Sequence, residues 1–279
     1  MRRIESIIEQ PFRHGIVERM PKDEYRLACG LNPSSLKQPS PLHVKHAYES
    51  VSESTDAMRL GTAVHTLCWE PDRFETDIAV WEEGARRGKG WAQFADDNEG
   101  KTILTMEQSV TALRVASALV KHHQVKRLAT EGIAETAVFT VESDMQCRGC
   151  LDWLNTREGI LCDLKVVNSV ESRAFGAAVI RYGWDVSMAC YRTWFTRETG
   201  KAINSVKFIA VESKPPHDVV VYDVPEAALD AGWNKARERI VLVRECIDSG
   251  KWPGIAGDQE QPLETPAWAM AEEMLEFVA

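Results

Sequence analysis

The runs Leu151-Asp152-Trp153-Leu154 and Ile160-Leu161-Cys162-Asp163-Leu164-Lys165-Val166-Val167 decide how this chain is read. Both are apolar and β-prone, and each is interrupted by charge. On a strand, residues two apart point to the same side. Asp163 and Lys165 therefore share one face, and Leu164 turns the other way, toward a core. A charge in a buried strand is costly unless it is paired or used. The linker Asn155-Thr156-Arg157-Glu158-Gly159 is short and polar. A hairpin turning there brings Asp152 beside Asp163. Two carboxylates and an ammonium converging at strand ends are the groups that Mg²⁺-dependent phosphodiester hydrolysis needs.

Composition sets the frame around that hairpin. The chain has 279 residues, 44% of them hydrophobic and 27% charged, ordinary for a soluble globular protein. No run approaches the ~20 apolar residues of a membrane span. Met1-Arg2-Arg3-Ile4-Glu5 is not followed by the apolar core of a secretory leader. A cytoplasmic protein is expected. The seven cysteines are odd in number and scattered, which argues against a disulfide framework. A formal charge of −9 argues against a protein that coats nucleic acid non-specifically, but leaves room for a basic groove.

Outward from the hairpin, the pattern predicts helices before it and alternating elements after it. Helices are expected from Pro41 to about Ser50 and from about Thr55 to Trp69, the second stopped by Pro71. A third is expected from Thr105 to about Val120, capped by Thr105 with Gln108 three residues on, with Val110, Leu113, Val115, Leu119 and Val120 as its apolar face. Arg86-Arg87-Gly88-Lys89-Gly90 reads as a basic, flexible loop. A strand is expected at 136–141, then the hairpin at about 146–167. Helices follow from Phe175 and over about Asp185–Glu198, then strands at 205–211 and 219–222. A long helix over 226–249 ends at Gly250. A short helix is expected at about 266–278.

Asp163-Leu164-Lys165 alone is a weak signal, because D-x-K arises often by chance. Read with Gly61-Thr62-Ala63-Val64-His65, Glu135, Arg148-Gly149-Cys150-Leu151-Asp152, Tyr182-Gly183-Trp184, Tyr191 and a tail carrying Trp252, Pro266 and Trp268, the chain resembles a known group. It is similar to the PD-(D/E)XK nuclease superfamily, and within it to the exonuclease VIII (RecE-type) recombination exonucleases of phages and prophages. The resemblance covers most of the chain from about residue 30.

That resemblance implies an α/β fold: a restriction-endonuclease-like core, with a central mixed sheet flanked by helices, and a helical N-terminal part. One nuclease domain is expected over 1–279. Its parts would be a mainly helical region to about 130, a catalytic sheet and tyrosine helix over about 131–225, and a C-terminal helix and tail. Asp152 and Asp163 would be metal-binding carboxylates, with the Leu164 carbonyl completing the site. Lys165 would steer the attacking water, and His65 would be a further metal ligand. On spacing alone His65 reads as a packing histidine; the family pattern reverses that preference. Glu135 would contact metal through water or organise Lys165, with a strand-edge surface acid as the plain alternative.

Arg86, Arg87 and Lys89, beside Trp91, would clamp phosphate; Arg148, Ser187 and Tyr191 would also face DNA. Two positions depart from the pattern. Ser187 stands where a glutamine is usual, and Cys150 where a basic residue often precedes the first aspartate. The implied cofactor is Mg²⁺, with Mn²⁺ able to substitute. Zinc would want more Cys and His in one place. The implied activity is 5′-to-3′ digestion of linear duplex DNA in a bacterial host cell, leaving 3′ single strands. The implied partners are duplex ends, a RecT-type annealing protein and further copies in a ring-like trimer or tetramer. The competing expectations are a single-strand or endonucleolytic relative, a non-catalytic DNA-binding module, and an interaction protein binding metal through Cys147 and Cys150. A lone C-x-x-C on a strand reads first as structural.

Overall fold

A computed structural model describes residues 3–50 and 54–265. The helix expected at about 266–278, with Pro266 and Trp268, lies outside the described residues. After a 3-10 turn at Ile4–Ile8 come β1 (Gly15–Val17), α1 (Lys22–Leu27), α2 (Pro33–Leu36), α3 (Pro41–Glu49) and α4 (Asp56–Trp69). Next are α5 (Phe74–Asp77), β2 (Ile78–Trp81), α6 (Gly88–Asp97), β3 (Thr102–Thr105), α7 (Met106–Lys121) and α8 (His123–Leu128). The rest of the path is β4 (Ile133–Glu142), β5 (Met145–Asn155), β6 (Ile160–Val167), α9 (Ser172–Arg181), α10 (Trp184–Thr199), β7 (Ser205–Glu212), β8 (Val219–Asp223) and α11 (Glu226–Ser249).

The central sheet has six strands in the order β1-β4-β5-β6-β7-β8. All neighbours are antiparallel except β6 and β7, whose parallel pairing runs from Ile160↔Ser205 to Val167↔Glu212. A parallel neighbour needs a crossover, and α9 with α10 supply it. The architecture is therefore the expected mixed sheet flanked by helices. β2 and β3 form a separate two-stranded parallel ribbon joined through α6.

Side-chain alternation along β6 divides two cores. Leu161 faces a cluster with Trp194 and Phe195 of α10 and Ile240 and Val243 of α11. Cys162 and Leu164 face a cluster with Val64 of α4 and Val115 and Leu119 of α7. Gly232 lets α11 approach α10 closely, since a Cβ there would lie 2.6 Å from the Asp185 carbonyl oxygen. Burial on both faces makes these strands read as apolar runs rather than strict alternations.

The expected caps form. Thr105 and Gln108 make the reciprocal capping box of α7, and Gly250 ends α11 in the left-handed conformation. The face of α7 is partly otherwise than expected. Val110, Leu113 and Val120 are exposed, while Ser109, Ala112, Val115, Ala116 and Leu119 are buried. Small side chains let the helix lie close against its neighbours, and the larger ones are left outside. The basic stretch at 86–90 is also not wholly loop, because α6 begins at Gly88. No helix among the described residues is long and apolar enough to cross a membrane.

Candidate active site

The β5–β6 hairpin pairs Trp153 with Cys162, Leu154 with Leu161 and Asn155 with Ile160. Asp152 and Asp163 are the next residues along, where pairing has ended. Parting of the strands there makes room for both side chains. Asp163 is 5% exposed and forms an ion pair with Lys165. These are the two residues that alternation places on one face. Burial pushes the Asp163 carboxyl up to about 6, against the lowering pull of Lys165. Burial raises Asp152 as well, again opposed by Lys165. Lys165 is held above its ordinary value, because the charges of Asp163 and Asp152 outweigh its burial.

His65 reaches this point from α4. Its Nε2 lies 2.8 Å from the Leu164 carbonyl oxygen, and its Nδ1 lies 3.4 Å from Asp152 Oδ2. Burial and then Lys165 lower its pKa, favouring neutral imidazole. Donating Nε2–H to Leu164 leaves the Nδ1 lone pair toward the Asp152 carboxylate. Two electron-rich atoms so placed call for a proton or a cation between them. Carboxylate oxygens and an imidazole nitrogen are donors a divalent cation accepts. The Leu164 carbonyl, expected as a metal ligand, is engaged by His65 in this arrangement. Among the described residues no three His, Cys, Asp or Glu side chains converge as a preformed metal-holding group. Asp163 is instead closed against Lys165, while His65 Nδ1 faces Asp152.

Glu135 completes one wall. It sits in β4 at φ +49°, a conformation uncommon for a side chain other than glycine. β4 pairs on either side of it, at Ala134↔Trp153 and Thr136↔Leu151, but not at Glu135 itself. Its carboxylate accepts from the Cys150 thiol at 3.3 Å, and it lines the same cleft as His65 and Lys165. Tyr191 packs over Gly149, where a Cβ would lie 2.7 Å from its ring. Burial, with Tyr25 and Asp152 nearby, pushes its hydroxyl well up. Cys147 and Cys150 are both free. Three apart on a strand, they point to opposite sides and do not form a common ligand pair.

The residues expected to face DNA separate into two groups. Arg148 is buried, 2% exposed. Its Nε donates to the Gly30 carbonyl at 3.1 Å, and its Nη1 donates to the Tyr25 carbonyl. Ser187 is buried one turn before Tyr191. Arg86 is also engaged internally: it binds Asp56 at 2.6 Å, the Ile103 carbonyl at 3.1 Å and Gln108 at 2.7 Å. It ties the start of α4 to the β3–α7 junction. Arg148 and Ser187 are therefore buried here, and Arg86 is half-buried with its guanidinium engaged within the chain. Arg87 and Lys89 are exposed beside the start of α6.

The cleft is about 930 Å³. Sequence reading missed Lys22 and Lys37 in its lining. Neither lies in a motif, and only the fold brings them to the strand ends. The stem of Lys37 crosses Gly183, whose Cβ would lie 2.6 Å from Lys37 Cγ. Burial, then Lys165, lower the Lys37 pKa.

A crystal structure from Eubacterium rectale described as a "Putative exonuclease" matches with a TM-score of 0.62 at 12% identity, covering 91% of this chain and 98% of that one. At that identity the likeness concerns the fold. A phage-related exonuclease from Haemophilus somnus 129PT aligns at 14% identity over 79% of this chain and 94% of that one, with a TM-score of 0.36 that carries no argument. A search of curated proteins finds no match. The family model "PDDEXK-like domain of unknown function (DUF3799)" matches residues 39–262. With Asp152, Asp163 and Lys165 at the parted ends of β5 and β6, the chain belongs to this PDDEXK-like family, of nuclease-like fold.

Proposed function

We propose that the protein is a Mg²⁺-dependent exodeoxyribonuclease of the exonuclease VIII type. It would digest linear double-stranded DNA from 5′ ends and leave 3′ single strands for an annealing protein. The observation that carries this reading is the group Asp152, Asp163 and Lys165, half-buried to buried, whose Lys165 lines a cleft together with His65 and Glu135. Asp152 and Asp163, with His65, would hold the cation. A bound divalent cation lowers the pKa of a water and neutralises phosphate charge. Lys165 places a positive charge where negative charge grows on the phosphate. Glu135 adds an acid on the cleft wall that can orient water. Duplex ends, a RecT-type partner and assembly into a ring of like copies belong to the same proposal.

The test uses linear duplex labelled at its 5′ or 3′ end, with covalently closed circles alongside. Release of nucleotides from linear DNA in Mg²⁺, abolished by EDTA, with circles intact, is the expected result. Early release of the 5′ label fixes the polarity. Cut circles would instead make the protein an endonuclease, and binding without hydrolysis a DNA-binding module.

Arg87 and Lys89 are the proposed phosphate contacts. Replacing both by alanine should weaken duplex binding and reduce the slope of log affinity against log salt by about 2, with no loss of melting temperature. Arg86→Ala should do the reverse, lowering the melting temperature through the lost Asp56, Ile103 and Gln108 contacts. Binding titrations at several salt concentrations and thermal melts separate the two.

A further inference from the structure

The cleft holds an aromatic surface that the proposed hydrolysis does not use. Tyr182 follows α9 as its C-cap and is 53% exposed, yet it lines the cleft. Its ring lies 5.3 Å from that of Trp184 at 30°. Trp184 also lines the cleft, and the Lys165 ammonium is 5.4 Å from its ring centre. Below, Trp184 rests on Phe175 at 5.9 Å and Phe208 at 6.3 Å, both buried. Gly183 joins the two aromatics at φ +62°, a left-handed turn that sets them as neighbours. The outer ring is thus held from beneath by Trp184, which itself rests on core aromatics, and it stays half exposed with the Arg181 guanidinium 5.8 Å from its centre. Met58 of α4, 53% exposed, lines the same cleft.

We infer that Tyr182, backed by Trp184, is a nucleobase-stacking subsite next to the catalytic lysine, and that it takes an unpaired base. An aromatic face recognises the π-face of any base, so it gives affinity without sequence preference. Inside a duplex both faces of a base are covered by its neighbours. A ring fixed in the cleft wall can stack only on a base that is terminal or freed from its partner. For any base but the terminal one, the strand entering the site is then single at this point, even when the substrate is a duplex end. This inference rests on the nuclease reading for its substrate class, but its test does not depend on turnover.

The test places 2-aminopurine at the first, second or third nucleotide of a single-stranded oligonucleotide and of a duplex with a frayed end. Binding is followed by fluorescence in EDTA, with the Asp163→Asn protein, so that nothing is hydrolysed. Quenching is expected at one position. In the same background Tyr182→Phe should keep it, and Tyr182→Ala should abolish it and weaken binding about 5- to 100-fold. Tyr182 is exposed, so its alanine variant should melt as the parent does. If the alanine variant binds and quenches like its parent, if no position is quenched, or if the parent binds neither oligonucleotide, the subsite does not exist. Position-specific quenching in a protein that never hydrolyses DNA would sink the nuclease reading and leave the subsite standing. Hydrolysis with no quenching would do the opposite.

Discussion

Asp163→Asn and Lys165→Met should each remove nearly all Mg²⁺-dependent hydrolysis while leaving the protein folded. Asp163 and Lys165 form an ion pair at the parted strand ends, so each substitution removes one charge and leaves its partner buried. In activity the two losses have different origins. Asparagine at 163 keeps the shape of the side chain but lacks the anionic oxygen offered to a cation. The fall should be at least about 10³-fold, and raising the Mg²⁺ concentration should recover part of it. Methionine at 165 fills the same volume without charge. It loses stabilisation of the charge that develops on phosphate, worth on the order of 10²–10³-fold in kcat, and added metal should not recover it. Initial rates over a Mg²⁺ titration decide the matter. Full activity in either variant would mean that the reaction occurs elsewhere.

How far the sequence revealed this site follows from the strength of each local signal. The hairpin was legible because burial on both faces leaves few charges in the strands, and those few stand out. α4, α7, α10 and α11 were legible because length and periodicity agree, with definite ends at Thr55, Thr105 and Gly250. β1 is three residues long, too short for any period to show. α6 starts among glycines and buries no residue fully, so nothing in its pattern distinguishes it from loop. Glu135 was named from resemblance, but no local pattern in the sequence marks its left-handed backbone. A basic residue carries least information of all about its placement. Arg87 and Arg86 are adjacent, yet one is solvated and the other bound to Asp56, Ile103 and Gln108. Lys37 reaches the site only because Gly183 leaves room for its stem.

Arg148 is where that ambiguity should have its largest consequence. Its place in the sequence, four residues before Asp152, suits a DNA contact, but its guanidinium is turned inward. It donates to the carbonyls of Gly30 and Tyr25 and lies 4.3 Å from the Tyr25 ring centre. Leu31 joins the same seam by backbone pairing: its carbonyl accepts from the Arg148 amide at 2.9 Å, and its own amide donates to Gln146 at 2.9 Å. Arg148 thus fastens the segment between α1 and α2 to β5. Arg148→Met keeps most of the packing but leaves the buried Gly30 carbonyl, and the half-buried Tyr25 carbonyl, without their charged donor. Hydrogen bonds from charged groups contribute about 1.5–3 kcal/mol each, and an acceptor stranded in the interior adds a desolvation cost. A loss of about 3 kcal/mol is expected, which for a protein of this size lowers the melting temperature by roughly 6–12 °C. Below that temperature the variant should bind duplex DNA with parental affinity and an unchanged salt slope. A variant that melts like the parent but binds DNA more weakly would turn Arg148 outward, to the phosphate backbone.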